Sequence, residues 1–318
     1  MYRLLIFILV IGFLQNCNQP SLKLGDLKNA PTEATLFGTG VVSTSLYERD
    51  LAISPAGDEI VYTLGDYTQK HRFLVCIKKD TKGWGKRKVM PFSGTYQDIE
   101  PFFSMDGKKL YFASDRPMPG DTAAGDYNIW VTTRNYNIWS KPQPLDTIIN
   151  GPGNEFYPAV SKNGNLYFTA TRDHGVGAED IFVSKWLKGR YHTPRPLDAA
   201  INSKRYEYNA WISPAEDILI FGSYGRKDGF GGGDLYMSRK DANGRWQQAR
   251  NMGPEINTSA LDFCPFIDLE RGVFYFTSSR FSTYPDTVRS VNQLIKLSND
   301  VLNGLGNIYH INLVKLGL

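Results

Sequence analysis

The stretch that decides the fold runs from Asp98 to Trp130 and reads DIEPFFSMDGKKLYFASDRPMPGDTAAGDYNIW. Pro101–Phe103 predicts a short apolar strand, Asp106-Gly107 supplies the left-handed conformation of a tight hairpin, and Leu110–Phe112 predicts the returning strand. After a loop rich in Gly and Asp, Asn128–Val131 predicts a third strand, and the apolar residues that follow leave room for a fourth. Four short antiparallel strands in one unit are typical of a propeller blade.

Weaker copies of this unit recur along nearly the whole chain. The serine before the hairpin turn has a counterpart every 50 to 57 residues, and the five positions are Ser54, Ser104, Ser161, Ser213 and Asp268. The apolar second strands follow in register, at Ile60–Tyr62, Leu110–Phe112, Leu166–Phe168, Leu219–Phe221 and Phe274–Phe276. This period predicts an all-β fold, a single propeller of five four-stranded antiparallel blades. Six blades remain the alternative if residues 34 to 50 and the long final repeat contain another.

The two ends of the repeat array complement each other. The fifth repeat lacks a fourth strand, whereas Thr35–Ser43 has the pattern of a fourth strand without a blade. We expect the two to pair, because this closes the ring and removes exposed sheet edges. Within the fifth repeat, Val288–Leu305 has apolar residues at mostly helical spacing, which predicts a helical insertion on the loop face. That helix would either cap the ring or dock a partner.

Composition restricts the classes of function. With 42% hydrophobic and 13% aromatic residues, the chain is typical of a folded protein with half-buried strands. A net charge of +4 without a Lys/Arg stripe argues against a nucleic-acid partner. Three cysteines and four scattered histidines form no metal-binding pattern. The Gly-rich run at Phe230–Asp234 lacks the G-K-[ST] of a phosphate loop, so we expect neither a metal nor a cofactor.

The N-terminus has the pattern of an export signal. Arg3 precedes the apolar run Leu4–Leu14, which is too short to span a bilayer as a mature helix. The following Leu-Gln-Asn-Cys resembles a bacterial lipobox, in which Cys17 would carry the lipid anchor, although Asn16 stands where a small residue is usual. Residues 1–17 are therefore predicted as a signal peptide with a lipobox-like end, 18–33 as a flexible tether and 34–318 as the propeller. The expected location is the outer membrane, facing the periplasm or the surface, with plain secretion as the alternative.

The segment FSMDGKKLYFASDR with NIW behind it resembles the WD40-like PD40 repeats of TolB-type β-propellers and of many exported bacterial lipoproteins. The resemblance covers about residues 45 to 315, is strongest in the second repeat and weakest in the first and fifth. It implies the blade type. It does not imply an activity, because one fold hosts many functions.

Two polar columns are shared among the repeats. An acid stands six residues before each aligned Ser position, at Glu48, Asp98, Glu155, Glu207 and Asp262. An arginine follows the second strand in four repeats, at Arg116, Arg172, Arg226 and Arg280. Both columns fall on the face where the loops from fourth to first strands and from second to third strands emerge, and they can meet as ion pairs. The pairs could clamp neighbouring blades, or they could contribute to a binding site.

The same loop face is rich in aromatic residues, a composition that binding surfaces favour. They are Tyr96, Phe156, Tyr157, His174, Tyr206, Tyr208, Tyr224, Phe230, Phe281 and Tyr284. The first hypothesis is therefore an envelope lipoprotein that holds a protein or peptide partner on this face, with His174, Tyr208 and Phe230 beside the polar columns. The alternative is a glycan-binding or glycoside-active propeller that uses funnel carboxylates. No residue is assigned as catalytic, because a column repeated in every blade gives no single carboxylate a separate acid or base role.

Overall fold

Five antiparallel sheets contain almost all regular structure in the computed structural model, which describes residues 24–282 and 287–317. The first strand, β1 (Thr35–Leu36), belongs to the last blade. Blade 1 contains β2 (Tyr47–Ile53), β3 (Glu59–Gly65), β4 (Arg72–Asp80), β5 (Gly83–Trp84) and β6 (Lys88–Val89). Blade 2 contains β7 (Asp98–Phe103), β8 (Lys109–Ser114), β9 (Asn128–Asn135), β10 (Ile138–Trp139) and β11 (Gln143–Pro144).

The remaining three blades repeat this arrangement. Blade 3 contains β12 (Glu155–Val160), β13 (Leu166–Ala170), β14 (Asp180–Ser184) and β17 (Arg195–Pro196), with the small hairpin of β15 (Trp186–Leu187) and β16 (Arg190–Tyr191) at its edge. Blade 4 contains β18 (Tyr206–Ile212), β19 (Ile218–Tyr224), β20 (Asp234–Arg239) and β21 (Arg250–Asn251). Blade 5 contains β22 (Asp262–Asp268), β23 (Val273–Ser278) and β24 (Asn307–Asn312), completed by β1.

The prediction of a five-bladed ring closed through the N-terminal strand is confirmed. Strand β1 pairs antiparallel with β24, with Thr35 opposite His310 and Leu36 opposite Tyr309. The backbone N–H of Phe37 then donates to the carbonyl of Ile308 at 2.8 Å, which extends the pairing by one residue. The first strands of successive blades contact one another, and β2 contacts β22, so they form a closed inner ring.

The recurring serine stabilises the hairpin between the first and second strands. The Ser54 hydroxyl accepts the backbone N–H groups of Asp58 and Glu59 at 3.1 and 3.0 Å, and Ser213 does the same in blade 4. Where blade 4 lacks the Asp-Gly turn, Glu216 takes the left-handed conformation with φ of 61°. This strained backbone is held because the Glu216 carboxylate accepts three hydrogen bonds from blade 3, the donors being the Ser161 hydroxyl, the Asn165 amide and the Tyr167 hydroxyl.

Three short segments lie outside the regular blades. Within the predicted insertion over 288–305 the structure has one short helix, α1 (Val291–Ser298), capped by the Ser290 side chain. None of the helical residues is buried. Leu24 and Leu27, which fall in the predicted tether over 18–33, are buried against the core of blade 1. The remaining 3₁₀ turn is Leu313–Leu316, and no helix of the described residues is long and apolar enough to cross a membrane.

Candidate functional site

Every first strand carries a bulge at the same place in its repeat. The pairing register of first with second strand shifts there in all five blades. One non-glycine residue at each bulge has φ between 49° and 62°, and these residues, the bulge ring, are Asp50, Glu100, Tyr157, Asn209 and Cys264. Such a conformation strains an ordinary residue and persists only where the surroundings hold it. A bulge also redirects neighbouring side chains, which here brings them towards the axis of the ring.

In four of the five blades, hydrogen bonds from the preceding blade hold this backbone. The N–H of Asp50, Glu100 and Asn209 each donates to a threonine hydroxyl on the second strand of the blade before, at 3.0 to 3.3 Å; the acceptors are Thr277, Thr63 and Thr169. Blade 2 has Ala113 at the equivalent position, so the N–H of Tyr157 donates instead to the Glu100 carboxylate at 2.7 Å. These hydrogen bonds join neighbouring blades near the centre of the ring.

Glu100 connects blade 2 with three other blades at the centre of the ring. Its buried carboxylate accepts a hydrogen bond from Arg49 Nη2 at 2.9 Å, one from Asn209 Nδ2 at 3.2 Å, and the N–H of Tyr157. Arg49 also pairs with Asp50 at 2.7 Å, so its guanidinium is in contact with two carboxylates. Burial raises the pKa of Glu100, Asp50 adds to the rise, and Arg49 opposes it. Because its oxygens are satisfied within the protein, Glu100 is a positioning group at the base of the site.

Immediately before the bulge ring lies a second ring of one side chain per blade. These five residues, the floor ring, are Arg49, Ile99, Phe156, Tyr208 and Phe263. All five line one cavity of about 470 Å³ that opens on the loop face, a size usual for a ligand pocket. The other residues that line the cavity are Arg72, Glu100, Thr169, Glu179, Tyr206, Asn209, Tyr224, Gly232 and Leu261. Because the five blades repeat the same backbone geometry, the equivalent position of each blade contributes one side chain to the same cavity, and these side chains are of several kinds.

A glycine makes room for one aromatic residue of the cavity. Blade 4 has Gly222 where three other blades have the threonine described above, and a Cβ there would come within 2.5 Å of the Tyr208 ring. The Tyr208 hydroxyl lies close to Gly233, where a Cβ would come within 2.3 Å of it. Both glycines therefore fix the position of Tyr208 by close approach.

Glu179 is the carboxylate that the protein leaves without a partner in this cavity. Its side chain makes no hydrogen bond and no ion pair with the described residues, although its backbone carbonyl accepts from Glu207 N at 2.9 Å. Burial raises the pKa of Glu179 to about 7, and the neighbouring Asp180 acts in the same direction. A partly buried carboxylate with a raised pKa and no ion-pair partner is typical of a functional position.

The shared acid and arginine columns lie at the loop-face ends of the strands and form ion pairs within four of the five blades. The pairs are Asp98 with Arg116, Glu155 with Arg172, Glu207 with Arg226, and Asp262 with Arg280. In each pair the carboxylate is fully buried and the guanidinium largely so. Each guanidinium also donates to a carbonyl of the segment that precedes its own blade, the acceptors being Phe92, Ile149, Ile201 and Ile256.

The arginines are sandwiched by aromatic rings of their own blades. Arg226, for example, lies 5.3 Å from the ring centroid of Phe221 and 4.7 Å from that of Tyr236. Glu48, the fifth acid, has no arginine of this column and accepts instead the N–H and hydroxyl of Thr44. No member of the two columns belongs to the cavity lining. The geometry of the columns therefore supports a structural role.

Besides the polar columns, the sequence predicts His174, Tyr208 and Phe230 as binding residues, and one of these three lies in the cavity. Tyr208 belongs to the floor ring. His174 is exposed on the loop of blade 3, with its ring edge-on to Phe182 at 5.4 Å. Phe230 is half-exposed on the loop of blade 4, where its N–H donates to Asp234 at 2.7 Å. No group of three or more His, Cys, Asp or Glu residues that could hold a metal occurs among residues 24–282 and 287–317.

The predicted aromatic lining is present in part. Phe156, Tyr206, Tyr208 and Tyr224 all line the cavity. Tyr284, which the sequence places on the same face, lies outside the described residues. The aromatic residues of the sequence therefore indicate which face of the propeller contains the opening of the cavity.

Sequence reasoning missed the polar groups of the cavity, which are Arg49, Arg72, Glu100, Glu179 and Asn209. It compared positions that the repeats share, whereas these residues occupy positions at which the repeats differ. The available signal was the variability itself, because aligning the repeats on Ser54, Ser104 and their equivalents gives a different residue type at each bulge.

Comparisons with known proteins match the fold alone. No protein-family model matches the chain, and neither does any curated protein. The structure of a putative TolB from Agrobacterium tumefaciens is 14% identical with a TM-score of 0.48, over 77% of this chain and 73% of that one. TolB from Acinetobacter baumannii is 14% identical with a TM-score of 0.46, over 75% of this chain and 49% of that one.

An enzyme occurs among the similar structures as well. The α-L-arabinofuranosidase PaAbf62A from Podospora anserina is 13% identical with a TM-score of 0.47, over 89% of this chain and 94% of that one. At such low identity none of these matches transfers a function. TolB-type β-propellers are thus among the structures that this chain resembles.

Proposed function

We propose that this protein is an exported, lipid-anchored propeller that binds a protein or peptide partner in the cavity on its loop face. The observation that carries the proposal is the floor ring, because it gathers aromatic, aliphatic and guanidinium groups from all five blades around one opening. Aromatic residues and arginine supply most of the binding energy at protein interfaces. Tyr206 and Tyr224, which are half-exposed with ring centroids 6.2 Å apart, offer an apolar surface at the entrance.

Binding should depend on Tyr208. Tyr208→Ala removes the floor-ring aromatic that Gly222 and Gly233 hold in place, so we expect at least about a tenfold weaker capture of the envelope partner. The measurement is the retention of envelope proteins and peptides by the immobilised protein, quantified against partner concentration. Tyr136→Ala is the matched control, because Tyr136 is 92% exposed on the outer edge of blade 2. Equal capture by the wild type, Tyr208→Ala and Tyr136→Ala would contradict a role for the cavity, provided that all three give the same unfolding curve.

The membrane anchor is proposed from the sequence, because residues 1–23 lie outside the described part of the chain. If Cys17 carries the lipid, Cys17→Ala should move the protein from the membrane fraction to the soluble envelope fraction. Fractionation followed by detection of the protein measures this directly. Cys76→Ala is the control, since Cys76 is a free cysteine buried in the propeller. Unchanged membrane association of Cys17→Ala would reject the anchor and leave plain secretion.

Glycoside hydrolysis is the second candidate, and one observation favours it. Glu100 and Glu179 line the same cavity, and burial raises the pKa of both, as the general acid of a glycosidase requires. Against it, the Glu100 oxygens are already bound by Arg49, Asn209 and Tyr157, so only Glu179 is available for chemistry. Release of sugar from envelope glycans by the wild type but not by Glu179→Gln would favour hydrolysis over binding.

A further inference from the structure

Two charged side chains of the cavity lack a partner of opposite charge within the described residues, and their signs are opposite. They are Arg72 and Glu179. The remaining cavity charges compensate each other, because Arg49 pairs with both Glu100 and Asp50. Both side chains are partly buried and neither has an ion-pair partner in the described residues, so they indicate which charges a ligand would supply.

Arg72 is oriented by hydrogen bonds to neutral groups, and although its charge lowers the pKa of Glu100, it forms no ion pair with the described residues. Its Nε donates to the Gln97 side-chain oxygen at 2.7 Å, and its Nη2 donates to the Tyr127 hydroxyl. The guanidinium also lies 5.4 Å from the centroid of the Tyr127 ring. A guanidinium has five N–H donors, so several remain for an incoming anion, and a carboxylate matches their planar geometry.

Glu179 offers the complementary group on the other side. It immediately precedes β14 in blade 3 and pairs through its backbone with Tyr206 at the start of blade 4, whereas Arg72 begins β4 in blade 1. No positive charge contributes to the pKa of Glu179, and Asp180 is the one charged group that does. Arg72 therefore does not neutralise Glu179 across the cavity. A cation placed beside Glu179 would meet both the carboxylate and the nearby tyrosine rings, an arrangement that favours ammonium and guanidinium groups.

We infer that the cavity binds a short peptide in a fixed direction, with a carboxylate of the peptide on Arg72, a cationic group on Glu179 and the apolar body on the floor ring. The inference rests on the proposed binding function and specifies its ligand. Phe156, Tyr208 and Phe263 supply an apolar surface in the same cavity. The opposed charges give specificity, because a reversed or capped peptide would leave Arg72 or Glu179 without a partner of opposite charge.

The test uses the tripeptide Ala-Phe-Ala in three forms, with both ends free, with the amino end acetylated and with the carboxyl end amidated. Titration calorimetry against the full mature protein should show at least about a tenfold loss of affinity for either capped form. Acetylation should have little further effect on Glu179→Gln, and amidation little further effect on Arg72→Gln, because each substitution removes the same contact as the cap. Unfolding curves check that both variants are folded.

Two results would overturn the inference. One is equal affinity for free and capped peptides, which would show that the cavity binds peptides without recognising their terminal charges. The other is absence of binding by the free tripeptide at millimolar concentration. In either case the Tyr208→Ala capture experiment still decides separately whether the cavity binds an envelope partner at all.

Discussion

Glu100→Ala should lower the free energy of unfolding by about 3–5 kcal/mol, the range found when one partner of a buried charge pair is removed. The side chain is almost inaccessible and serves three groups from three blades, Arg49, Tyr157 and Asn209. Without it, the Tyr157 N–H loses its acceptor at a backbone that is already strained. Arg49 then retains Asp50 as its one carboxylate partner among the described residues. Urea denaturation followed by tryptophan fluorescence measures the loss.

Two further variants make the Glu100 result interpretable. Glu100→Gln keeps an oxygen for the Tyr157 N–H and removes the charge that faces Arg49, so we expect a smaller loss than for Glu100→Ala. Glu255→Ala, at an exposed position, should change the free energy of unfolding by less than about 0.5 kcal/mol. If Glu100→Ala were no more destabilising than Glu255→Ala, the central network would not stabilise the ring.

Arg280→Met is expected to have an effect of similar size, about 3–5 kcal/mol, because it leaves the fully buried Asp262 carboxylate without its cation. Arg280 Nη2 lies 2.8 Å from Asp262 and 2.7 Å from the Ile256 carbonyl, so both acceptors lose a donor. The guanidinium also packs 4.5 Å from the Tyr309 ring centroid. Met retains the apolar stem and removes the charge, which isolates the electrostatic contribution.

The double variant Arg280→Met with Asp262→Asn should recover part of this loss, because no charge then remains buried at the pair. The amide oxygen that replaces the Asp262 carboxylate can still accept from the backbone N–H of Thr258. Arg250→Met is the surface control in the neighbouring blade, where Arg250 is exposed. A loss for Arg280→Met equal to that for Arg250→Met would show that the acid and arginine pairs are not structural. The measurement is again urea denaturation.

The sequence predicts the fold well because the information for a blade is local. The hairpin serine, the apolar second strand and the turn at Asp106-Gly107 recur within 50 to 57 residues, so five copies reinforce one another. The missing fourth strand of blade 5 and the spare strand at Thr35–Leu36 predict closure for the same reason. The shared acids and arginines were also found, because they repeat with the fold that they stabilise.

The site is harder to predict because it depends on what the repeats do not share. A non-glycine residue in the left-handed region, such as Asp50 or Tyr157, has no local sequence signal, since hydrogen bonds from the neighbouring blade hold the bulge. Arg49 in blade 1 and Phe263 in blade 5 are neighbours where the ring closes. The distance from the guanidinium to the ring centroid is 5.0 Å, although more than 200 residues separate the two in the sequence. Ring closure alone brings such residues together, and no spacing rule indicates which of them face one cavity.

The central claim is that the shared acid and arginine pairs hold the fold, whereas the unshared cavity positions without an ion-pair partner, Arg72 and Glu179, bind the ligand. Calorimetric titration of the free tripeptide Ala-Phe-Ala into Glu179→Gln and Arg280→Met tests it most directly. We expect at least about a tenfold weaker affinity for Glu179→Gln, with its unfolding curve unchanged, and wild-type affinity for folded Arg280→Met despite its lower stability. Wild-type affinity in Glu179→Gln together with lost binding in folded Arg280→Met would contradict it.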